Sequence, residues 1–555
     1  MSSDRLIYLP LGGAGEIGMN CYVYGYGPAD HERLIVVDLG VTFPDMDTTP
    51  GVDLILPDIE WLVARRDRIE AIFITHAHED HIGALGHLWR RLAVPVYARA
   101  FTAHIGRLKL EDHGLDVQTI QTAGAWPETI QTGPFSVGFL PVSHSIPESS
   151  SLVIDTPAGR IVHTGDFKLD ETPVVGEPFD RALWAKVAKP GIRALVCDST
   201  NVFSPHPGRS EASVGAEIEH LISSAPGLVA ATTFASNIAR LKTLATAGRR
   251  AGRSVVLLGR AMRRMVTAGV ETGVLADFPK VVSPEDALAI PHDNLMLLTT
   301  GSQGERRAAT AQLSRGKYLG LEMKEGDTFL FSSKTIPGNE RSVLRIINNF
   351  SEKGVDVVDD TSDRYHVSGH ANRPDLQAMH EITDPQMVIP MHGEHRHLRA
   401  HANLADEGGR AAVIAPNGTL LDLSGNAPKV AEYVETGRVY VDGAVQIGAL
   451  EGVVRDRIRM GLNGHVLATV IIDEDGEMLG EPWCETMGLA QTGLSNAPLV
   501  DMLEQDLGQS LARAGAKSLA DDAALEGLAR KILRKSAFEE IGKKPEVTVV
   551  ISRLA

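Results

Sequence analysis

The sequence predicts a fold of the α/β class, in which short strands form sheets and are separated by helical and turn segments. Apolar, β-branched runs recur along the chain, for example at residues 34–38, 135–142 and 254–258. Six such runs lead into a histidine or an aspartate: Asp38, His76, His144, Asp166, Asp198 and His392. Strand ends are rigid platforms that converge along one edge of a sheet. We therefore expect these six side chains to share one site.

Length and composition restrict the class of protein. With 555 residues, 43% of them hydrophobic, the chain can bury large cores in about two to four domains. Residues 1–6 show no basic-then-apolar leader, and no apolar run approaches the length of about 18 residues that a membrane span needs. We expect a cytoplasmic protein that does not contact a membrane.

The cysteines are few and scattered. Cys21, Cys197 and Cys484 do not form a CxxC pair. This spacing predicts neither a disulfide framework nor a thiolate metal site. Any metal should therefore be held by histidine and aspartate.

The net charge of −17 argues against a surface coated for nucleic acid, because phosphate binding needs clustered lysine and arginine. One segment departs from this average. Residues 240–264 contain eight lysines and arginines and no acidic residue. A solvated helix face explains such a run as well as a binding surface does, and the run gains meaning only beside a functional site.

A glycine-rich stretch near the N-terminus resembles a dinucleotide-binding fingerprint. Residues 13–18 fit GxGxxG, and Asp38 follows about 20 residues later. That fingerprint must open a helix, whereas residues 19–25 are β-branched and aromatic and end in glycine. We interpret them as the second strand of a hairpin and reject a dinucleotide site.

The densest cluster of metal-ligand residues follows the apolar run at residues 71–75. His76 and His78 are two apart and can face one ion, while Asp80 and His81 begin the next turn and can face a second. Asp166 is our candidate for a carboxylate that bridges the two ions. Metal one would be held by His76, His78, His144 and Asp166, and metal two by Asp80, His81, Asp166 and His392.

The donor set also predicts the ions. Imidazole-rich sites with mixed nitrogen and oxygen ligands suit Zn²⁺, with Mn²⁺ as the alternative, and we expect two ions per subunit. Asp38 is assigned outside the ligand set, accepting a hydrogen bond from a ligand histidine or from water. The histidines that follow His392, at positions 395, 397 and 401, are expected to be solvated on a helix.

Several motifs resemble those of known metal-dependent nucleases. Residues 76–81 match the HxHxDH motif of metallo-β-lactamase-fold hydrolases, and Asp198, residues 368–371 and residues 391–394 are similar to motifs A, B and C of the β-CASP nucleases. Residues 299–305 and 331–340 narrow the resemblance to the ribonuclease J family. Two pairs depart from the family pattern, Arg306-Arg307 and Lys334-Thr335.

The resemblance covers essentially the whole chain and implies its organisation. It implies an αββα metallo-β-lactamase sandwich, an inserted β-CASP α/β domain and a small α+β C-terminal domain. The implied parts are the first segment of the sandwich (1–207), the β-CASP domain or cap (208–365), the second segment of the sandwich (366–430), a linker (431–450) and an assembly domain (451–555). The basic run would then face a cleft between the cap and the metals.

The resemblance also implies an activity, namely hydrolysis of RNA phosphodiesters by a two-metal mechanism in rRNA processing and mRNA decay. It implies a 5′-to-3′ exonuclease that prefers a 5′-monophosphate and also makes endonucleolytic cuts. The implied catalytic residues are Asp80, Asp166, Asp198 and His370. His370 would contact the scissile phosphate and protonate the leaving oxygen, with Asp198 fixing its tautomer.

Further residues and partners follow from the same resemblance. RNA contacts are implied at Phe234, Ala235, Ser236, His366, Val367, Ser368, Gly369 and His370. A structural Ca²⁺ is implied at Gly51, Asp53 and Asp442. Expected partners are RNA, a second copy or three further copies of the chain through residues 450–555, and RNA-degradation or ribosome-associated proteins.

Two other functions fit the metal motif less well. A small-molecule ester or thioester hydrolase would not need a cap of about 150 residues with Asp198, His370 and a basic run. A non-catalytic RNA-binding scaffold would not need the full set of metal ligands. DNA is a harder competitor to exclude, because no motif here reads a 2′-hydroxyl.

Overall fold

The computed structural model describes residues 4–336, 338–359, 361 and 363–554. The chain forms two compact units. The first contains the described residues up to Thr42 and residues 56–438, and the second contains residues 43–55 and the described residues from 439 onward. The short loop at 43–55 therefore belongs with the C-terminal part of the chain.

The first unit is built on two large sheets. The first sheet has eight strands, antiparallel at one side and parallel from the strand Arg33–Val37 onward. Its strands lie in the order Lys429–Tyr433, Thr419–Asp422, Arg5–Gly12, Cys21–Gly27, Arg33–Val37, Ile69–Phe73, Val96–Ala98 and Ile120–Thr122. The predicted hairpin is confirmed, because Cys21–Gly27 pairs antiparallel with Arg5–Gly12.

The second sheet has seven strands and mixes both pairing directions. The order is Ala411–Ala412, Met387–Met391, Ala194–Asp198, Gly159–His163, Ser150–Thr156, Phe135–Pro141 and Ile130–Thr132. Apolar side chains from both sheets interleave in one buried cluster that includes Tyr24, Phe73, Phe139, Ile161 and Ile389. The two sheets therefore pack face to face.

Helices cover the outer faces of this sandwich. The helix Ala100–Asp112 contacts two strands of the first sheet, and Trp184, Leu376 and Met379 pack from helices onto the second. The helices of this part are Glu60–Val63, Glu79–Ile82, Leu85–Leu92, Ala100–Asp112, Arg181–Ala188, Arg373–Thr383 and His395–Glu407, with 3₁₀ turns at Arg66–Arg68 and Val117–Thr119. The layers are the αββα arrangement that the sequence predicts.

The cap is a parallel sheet with helices on both faces. Its strand order is Ser254–Leu258, Leu295–Thr299, Val229–Thr232, Thr328–Phe331 and Asp356–Val358. Two apolar clusters, one on each face of this sheet, bury it. The helices are Gly215–Ser224, Ile238–Arg250, Arg260–Glu271, Pro284–Ala287, Ala309–Arg315 and Glu340–Glu352, with 3₁₀ turns at Glu211–Val214 and His292–Asn294.

The basic run at 240–264 is not one exposed stripe, so the prediction that it faces a cleft is wrong for Arg240 and Arg253. Arg240 is fully buried and pairs with Glu211 at 2.6 Å. Arg253 is also buried and donates to the backbone carbonyls of Ala225 and Gly227. Both guanidinium groups stabilise the cap from inside, because each finds charged or carbonyl acceptors that satisfy a buried donor.

The second unit has a small sheet covered by helices on one face. Its strands lie in the order Trp483–Met487, His465–Ile472 and Glu546–Arg553, and a hairpin joins Arg438–Asp442 to Val445–Gly448. Leucines four residues apart, at 499, 503, 507 and 511, pack on the sheet. The helices are Val453–Asn463, Leu499–Ala512, Ala516–Ala520 and Asp522–Ile541.

Two further sequence expectations can be compared with the structure. Cys21, Cys197 and Cys484 are all free thiols and are buried. Within the described ranges, no helix combines the length and the apolarity needed to cross a membrane.

Candidate metal centre

Four predicted ligands meet at the ends of three strands of the first unit. The ligand atoms of His76, His78, His144 and Asp166 all lie within 4.8 Å of one another. His78 Nδ1 lies 3.1 Å from Nε2 of both His76 and His144. This set can hold one metal ion, and we call it group one.

A second set lies beside the first and shares one residue with it. The ligand atoms of Asp80, His81, Asp166 and His392 also lie within 4.8 Å of one another. His392 Nε2 is 3.3 Å from both Asp80 Oδ2 and Asp166 Oδ1. We call this set group two.

The Asp166 carboxylate faces both groups with different oxygens. Oδ2 lies 3.7 Å from Nε2 of His76 and of His144, whereas Oδ1 lies 3.2 Å from His81 Nε2 and 3.3 Å from His392 Nε2. Oδ1 is buried, and the two Nε2 atoms that face it lie at the long end of the hydrogen-bond range. A buried carboxylate oxygen in such a position fits a cation ligand, so the donor set suits a metal ion at each group.

Hydrogen bonds outside the ligand set orient the imidazoles. Asp38 Oδ2 accepts from His81 Nδ1 at 2.7 Å, and the backbone N–H and hydroxyl of Thr75 donate to the same carboxylate. His76 Nδ1 lies 3.0 Å from Thr75 Oγ1. Each bond occupies Nδ1 and directs Nε2 toward the metal position, which is how such partners tune metal-bound histidines.

The backbone is strained where two of these residues leave their strands. Asp38 has φ 64° and His392 has φ 49°, a region that non-glycine residues rarely adopt. Such outliers persist where surrounding contacts hold them, and they cluster at functional sites. Both residues follow a strand end directly, so the left-handed turn aims each side chain into the centre.

Sequence reasoning missed Asn20, which lies next to the rejected dinucleotide motif. Its Nδ2 donates to the Asp80 carbonyl at 3.0 Å and lies 3.0 Å from His81 Nε2. Tyr22 in turn donates to Asn20 Oδ1 at 2.7 Å. Asn20 and Tyr22 are two residues apart in a predicted strand, so their side chains lie on the same face. A polar residue at this position was the signal that could have indicated a role for Asn20 in the site.

Glycine at position 40 permits the chain to approach this loop. A Cβ there would lie 1.7 Å from the Asp80 carbonyl oxygen. The backbone N–H of Leu39 donates to the His81 carbonyl at 2.8 Å, and that of Val41 donates to the Glu79 carbonyl at 3.0 Å. The segment around Gly40 therefore holds the backbone of the ligands in group two.

The electrostatics differ between the groups. Burial lowers the pKa of His76 and His144 well below the usual range, and lowers that of His78 to about 4. In group two, burial would lower the pKa of His392, but Asp166 and Asp80 raise it to about 10. The group one imidazoles are neutral at pH 7, while His392 carries a proton that a metal ion must displace.

The pKa values of the two carboxylates in group two, Asp80 and Asp166, shift in the direction opposite to that of His392. Burial alone would raise the pKa of Asp80 and Asp166, but the cationic forms of His81 and His392 hold both well below the usual range. Asp166 and Asp80 likewise hold the pKa of His81 well above its usual value despite burial. Group two is thus a buried network of charges that compensate one another.

The predicted acid and its partner lie beside group one. His370 Nδ1 is 2.8 Å from Asp198 Oδ2 and 3.9 Å from Asp166 Oδ2. The other oxygen of Asp198 accepts from the backbone and the hydroxyl of Thr200. Burial lowers the pKa of His370, but Asp198 and Asp166 raise it overall. The structure therefore brings His370 and Asp198 together with a metal ligand.

The predicted RNA-contact residues lie on two segments that share one apolar cluster. Val367 is buried in it and Ala235 packs against it. Phe234 and Ser236 belong to the turn before the helix Ile238–Arg250. The Gly369 carbonyl accepts from His144 Nδ1 at 2.6 Å, which ties this loop to a group one ligand.

The expectation that the histidines after His392 are solvated is wrong for two of the three. His395 is exposed, but His397 is only 5% exposed and His401 is fully buried. His401 Nδ1 lies 2.9 Å from Ser199 Oγ, and its Nε2 lies 3.0 Å from His380 Nε2. The helix His395–Glu407 packs inward on the second sheet, so its buried face includes these histidines.

The predicted calcium residues have partners within the protein. Arg457 Nη2 donates to Asp442 Oδ2 at 2.6 Å, and its Nη1 lies 3.4 Å from the Pro50 carbonyl oxygen. Arg457 also packs on Gly51, while Asp53 Oδ2 accepts from the backbone N–H of Gly443. The calcium site stays a prediction, and an ion there would compete with Arg457 for the Asp442 carboxylate.

Four family models match successive parts of the chain. They are Metallo-beta-lactamase superfamily (14–206), Ribonuclease J, beta-CASP domain (227–350), Zn-dependent metallo-hydrolase RNA specificity domain (354–416) and Ribonuclease J C-terminal domain (452–554). The chain is 40% identical to ribonuclease J of Sinorhizobium meliloti, over 99% of this chain and 98% of that protein. The chain belongs to the ribonuclease J family.

Other relatives agree with this membership. Ribonuclease J of Mycolicibacterium smegmatis is 35% identical over 98% of this chain and 96% of its own length. A crystal structure of a protein of unknown function from Enterococcus faecalis aligns with a TM-score of 0.52 and 19% identity, covering 75% of this chain and 100% of that one, and so shares the fold. The predicted family and the predicted metallo-β-lactamase fold with β-CASP and C-terminal domains are confirmed.

Metal binding at group two should release protons. His81 and His392 have raised pKa values, so both are protonated at pH 7 and lose a proton when an ion takes Nε2. We expect release of about two protons from group two and none from group one, and affinity at group two that rises about tenfold per pH unit for each proton released. Calorimetry of the metal-free protein in buffers of different ionisation enthalpy measures this. Metal binding without proton release would contradict the assignment, and His392→Gln should remove one of the two protons.

Calcium should not stabilise the second unit. Because Arg457 already neutralises Asp442, we expect the melting temperature to be unchanged by a calcium chelator or by added Ca²⁺. Arg457→Ala should lower the melting temperature through the lost ion pair, with Arg455→Ala, an exposed neighbour, as its control. A rise in the melting temperature of the unaltered protein on addition of Ca²⁺ would contradict this expectation and support a calcium site.

Proposed function

We propose that the chain is a ribonuclease that hydrolyses RNA phosphodiesters with two metal ions, Zn²⁺ or, as the alternative, Mn²⁺. The observation that carries the proposal is the Asp166 carboxylate, whose two oxygens face two separate groups of ligands. Family membership supports RNA as the substrate, because the matched relatives are named ribonuclease J. Two bound ions supply a nucleophile at neutral pH and neutralise charge that develops on the phosphoryl oxygens.

The protein residues have distinct tasks in this proposal. Asp80 and Asp166 accept the proton of the attacking water, since both carboxylates are ionised at neutral pH. The imidazoles of group one are neutral and fix the geometry in which the phosphodiester is held. His370 Nδ1 lies 3.9 Å from Asp166 Oδ2, and this proximity supports a role for His370 at the reacting phosphate.

His370 is the proposed proton donor for the leaving oxygen. Its Nδ1 donates to Asp198, which fixes the neutral tautomer with Nε2 unprotonated, so that the protonated ring carries its transferable proton on Nε2. Because Asp198 and Asp166 raise the pKa of His370, the protonated form persists to higher pH than for an ordinary histidine. A larger fraction of His370 is therefore protonated near neutral pH than of an ordinary histidine.

The competing functions are less well supported. A scaffold without activity would not require a complete and oriented set of seven ligands, with strained backbone at the ligand His392 and at Asp38, which binds the ligand His81. A small-molecule hydrolase would not require an inserted cap, whose Ala235 shares an apolar cluster with Val367 on the loop that binds His144 through Gly369. We retain DNA as the competitor to be tested beside RNA.

A 5′-monophosphate is the proposed preferred end, with removal of nucleotides from that end. Ser333 Oγ and His366 Nδ1 are both buried and have no hydrogen-bond partner within the part of the chain that the structure describes. Burial lowers the pKa of His366 to about 3, and the cations Arg240 and Lys334 act in the same direction. Unpaired polar atoms in a positive field fit a terminal phosphate.

Substitution of the proposed acid should reduce the chemical step. We expect His370→Ala to lower kcat on single-stranded RNA by about 10²- to 10⁴-fold, without loss of bound metal. Asp198→Asn should lower the pKa of His370, so that the rate declines at lower pH on the basic side of the profile. The control is His395→Ala, which removes an exposed histidine. Unchanged kcat in His370→Ala would exclude the role, and equal cleavage of RNA and matched DNA would broaden the substrate.

The 5′ end should govern the rate. RNA with a 5′-monophosphate is expected to react faster than the same RNA with a triphosphate or a hydroxyl, and circular RNA should react slowest. Lys334→Ala should reduce this preference because it removes a cation near His366, whereas Lys317→Ala, an exposed lysine paired with Glu322, should not. Equal initial rates on all four substrates would show that entry is internal and that no phosphate pocket operates.

Assembly through the second unit is also proposed. The sheet face opposite the helices bears the exposed apolar side chains Trp483, Met487 and Val550, which are 52%, 73% and 44% exposed. We expect Trp483→Ser with Met487→Ser to reduce the native mass measured by light scattering, because apolar surface of this kind marks an interface. Leu494→Ser is the control, since Leu494 is exposed but lies outside the three strands. An unchanged mass in the double variant would exclude this face as the interface.

A further inference from the structure

A third group of potential metal ligands lies apart from the two groups of the nuclease centre. The ligand atoms of Cys197, His380 and His401 lie within 4.8 Å of one another. Cys197 is on the strand Ala194–Asp198, and the histidines come from the helices Arg373–Thr383 and His395–Glu407. All three side chains are buried, with at most 1% exposed, and the proposed nuclease chemistry uses none of them.

The two imidazoles are arranged as metal-bound histidines commonly are. His401 Nδ1 lies 2.9 Å from Ser199 Oγ, which directs Nε2 toward His380. Burial lowers the pKa of His380 to about 4 and that of His401 well below the usual range, so both rings are neutral. Neutral imidazole with one nitrogen already hydrogen-bonded is the form that binds a metal ion.

The spacing needs only a small adjustment. The two Nε2 atoms are 3.0 Å apart, as in a hydrogen bond between the rings. Metal–nitrogen bonds of about 2.0–2.1 Å would place them about 3.4–3.6 Å apart. A displacement of a few tenths of an ångström in each ring brings the two imidazoles to this spacing, and the two rings lie on separate helices, while the thiol sulfur lies within 4.8 Å of both nitrogens.

Charge balance selects the ion. Zn²⁺ bound to one thiolate and two neutral imidazoles leaves a buried net charge of +1, and structural zinc almost always takes a fourth ligand. The positive charges of Arg410 and Arg373 act on the two histidines, which makes another buried cation less favourable. A monovalent soft ion bound to the thiolate forms a neutral unit, and thiolate ligands favour Cu⁺.

We infer that Cys197, His380 and His401 form a buried site for a single cuprous ion, independent of the nuclease centre. The binding step forms one Cu–S bond and two Cu–N bonds, breaks the S–H bond of Cys197 and releases its proton to solvent, while the hydrogen that one Nε2 donates to the other moves to Nδ1 of its own ring, so both rings stay neutral. Copper enters and remains as Cu⁺, so no electron is transferred. This inference does not rest on the proposed nuclease function.

The test is an anaerobic titration of the full-length, metal-loaded protein with Cu⁺ buffered by a chromophoric chelator. We expect one equivalent of Cu⁺ to bind, with an ultraviolet thiolate-to-copper band and an X-ray absorption spectrum that shows one sulfur and two nitrogen ligands. The metal content of the nuclease centre, measured by elemental analysis, should not change. Displacement of that metal by copper would overturn the inference.

Two variants and a matched control locate the site. Cys197→Ser should abolish binding of the one equivalent of Cu⁺, and His380→Gln should weaken the affinity of the site for Cu⁺ by about tenfold or more. Cys21→Ser, which alters another buried free cysteine, should bind as the unaltered protein does. Circular dichroism identifies any variant that fails to fold, and the other variant then decides the result. Equal Cu⁺ binding in both variants, or an extra Zn²⁺ bound at Cys197 in place of Cu⁺, would overturn the assignment.

Discussion

The centre of this protein depends on the buried carboxylate of Asp166. It is 1% exposed, and its oxygens lie 3.2–3.7 Å from four imidazole nitrogens of two groups. Burial of a lone carboxylate is costly, so the charge must be matched either by protonated histidines or by cations. The raised pKa values of His81 and His392 show how the protein itself supplies that match. The same property prepares group two to exchange protons for a metal ion.

The sandwich explains why one carboxylate can serve both groups. His144 and Asp166 each follow a strand of the second sheet by three residues, whereas His76 follows a strand of the first sheet. The sheets pack face to face, so residues beyond the strand ends meet across the layers. Positive φ angles at Asp38 and His392 complete the inward turn. Strain at these two positions is offset by the buried sandwich around them.

Sequence reasoning could predict the ligands because their signals are local. A histidine or aspartate after an apolar run implies a strand end, and residues 76–81 have ligand spacing within a single turn. Sequence reasoning could not predict which arginines are already paired with an acidic side chain or a backbone carbonyl inside the fold. Arg240 and Arg253 belong to a basic run, and only their tertiary partners show that they are buried. Likewise, the Arg457 guanidinium that bonds Asp442 comes from 15 residues further along the chain.

For the same reason, sequence reasoning could not predict that Cys197, His380 and His401 lie close together. Cys197 shows no metal-binding spacing, and His401 lies in a helical stretch that also contains exposed charged residues. Their proximity arises because the helices Arg373–Thr383 and His395–Glu407 pack next to each other and beside the strand Ala194–Asp198. Cys197 thereby becomes a neighbour of residues 183 and 204 positions further along the chain, and no periodicity in the sequence indicates this.

The segment that carries His370 is held from two sides, which links the cap to the chemistry. From the cap, Arg240 donates to the Tyr365 carbonyl at 2.7 Å and to Ser332 Oγ at 2.9 Å. From the sandwich, Asn201 Nδ2 donates to Ser368 Oγ at 2.8 Å, and His144 donates to the Gly369 carbonyl. Arg240 is fully buried and pairs with Glu211, so its position is fixed by the cap core rather than by solvent. The loop that positions His370 therefore has its geometry only when the cap and the sandwich are both folded, and this dependence gives the inserted domain a physical role in the site.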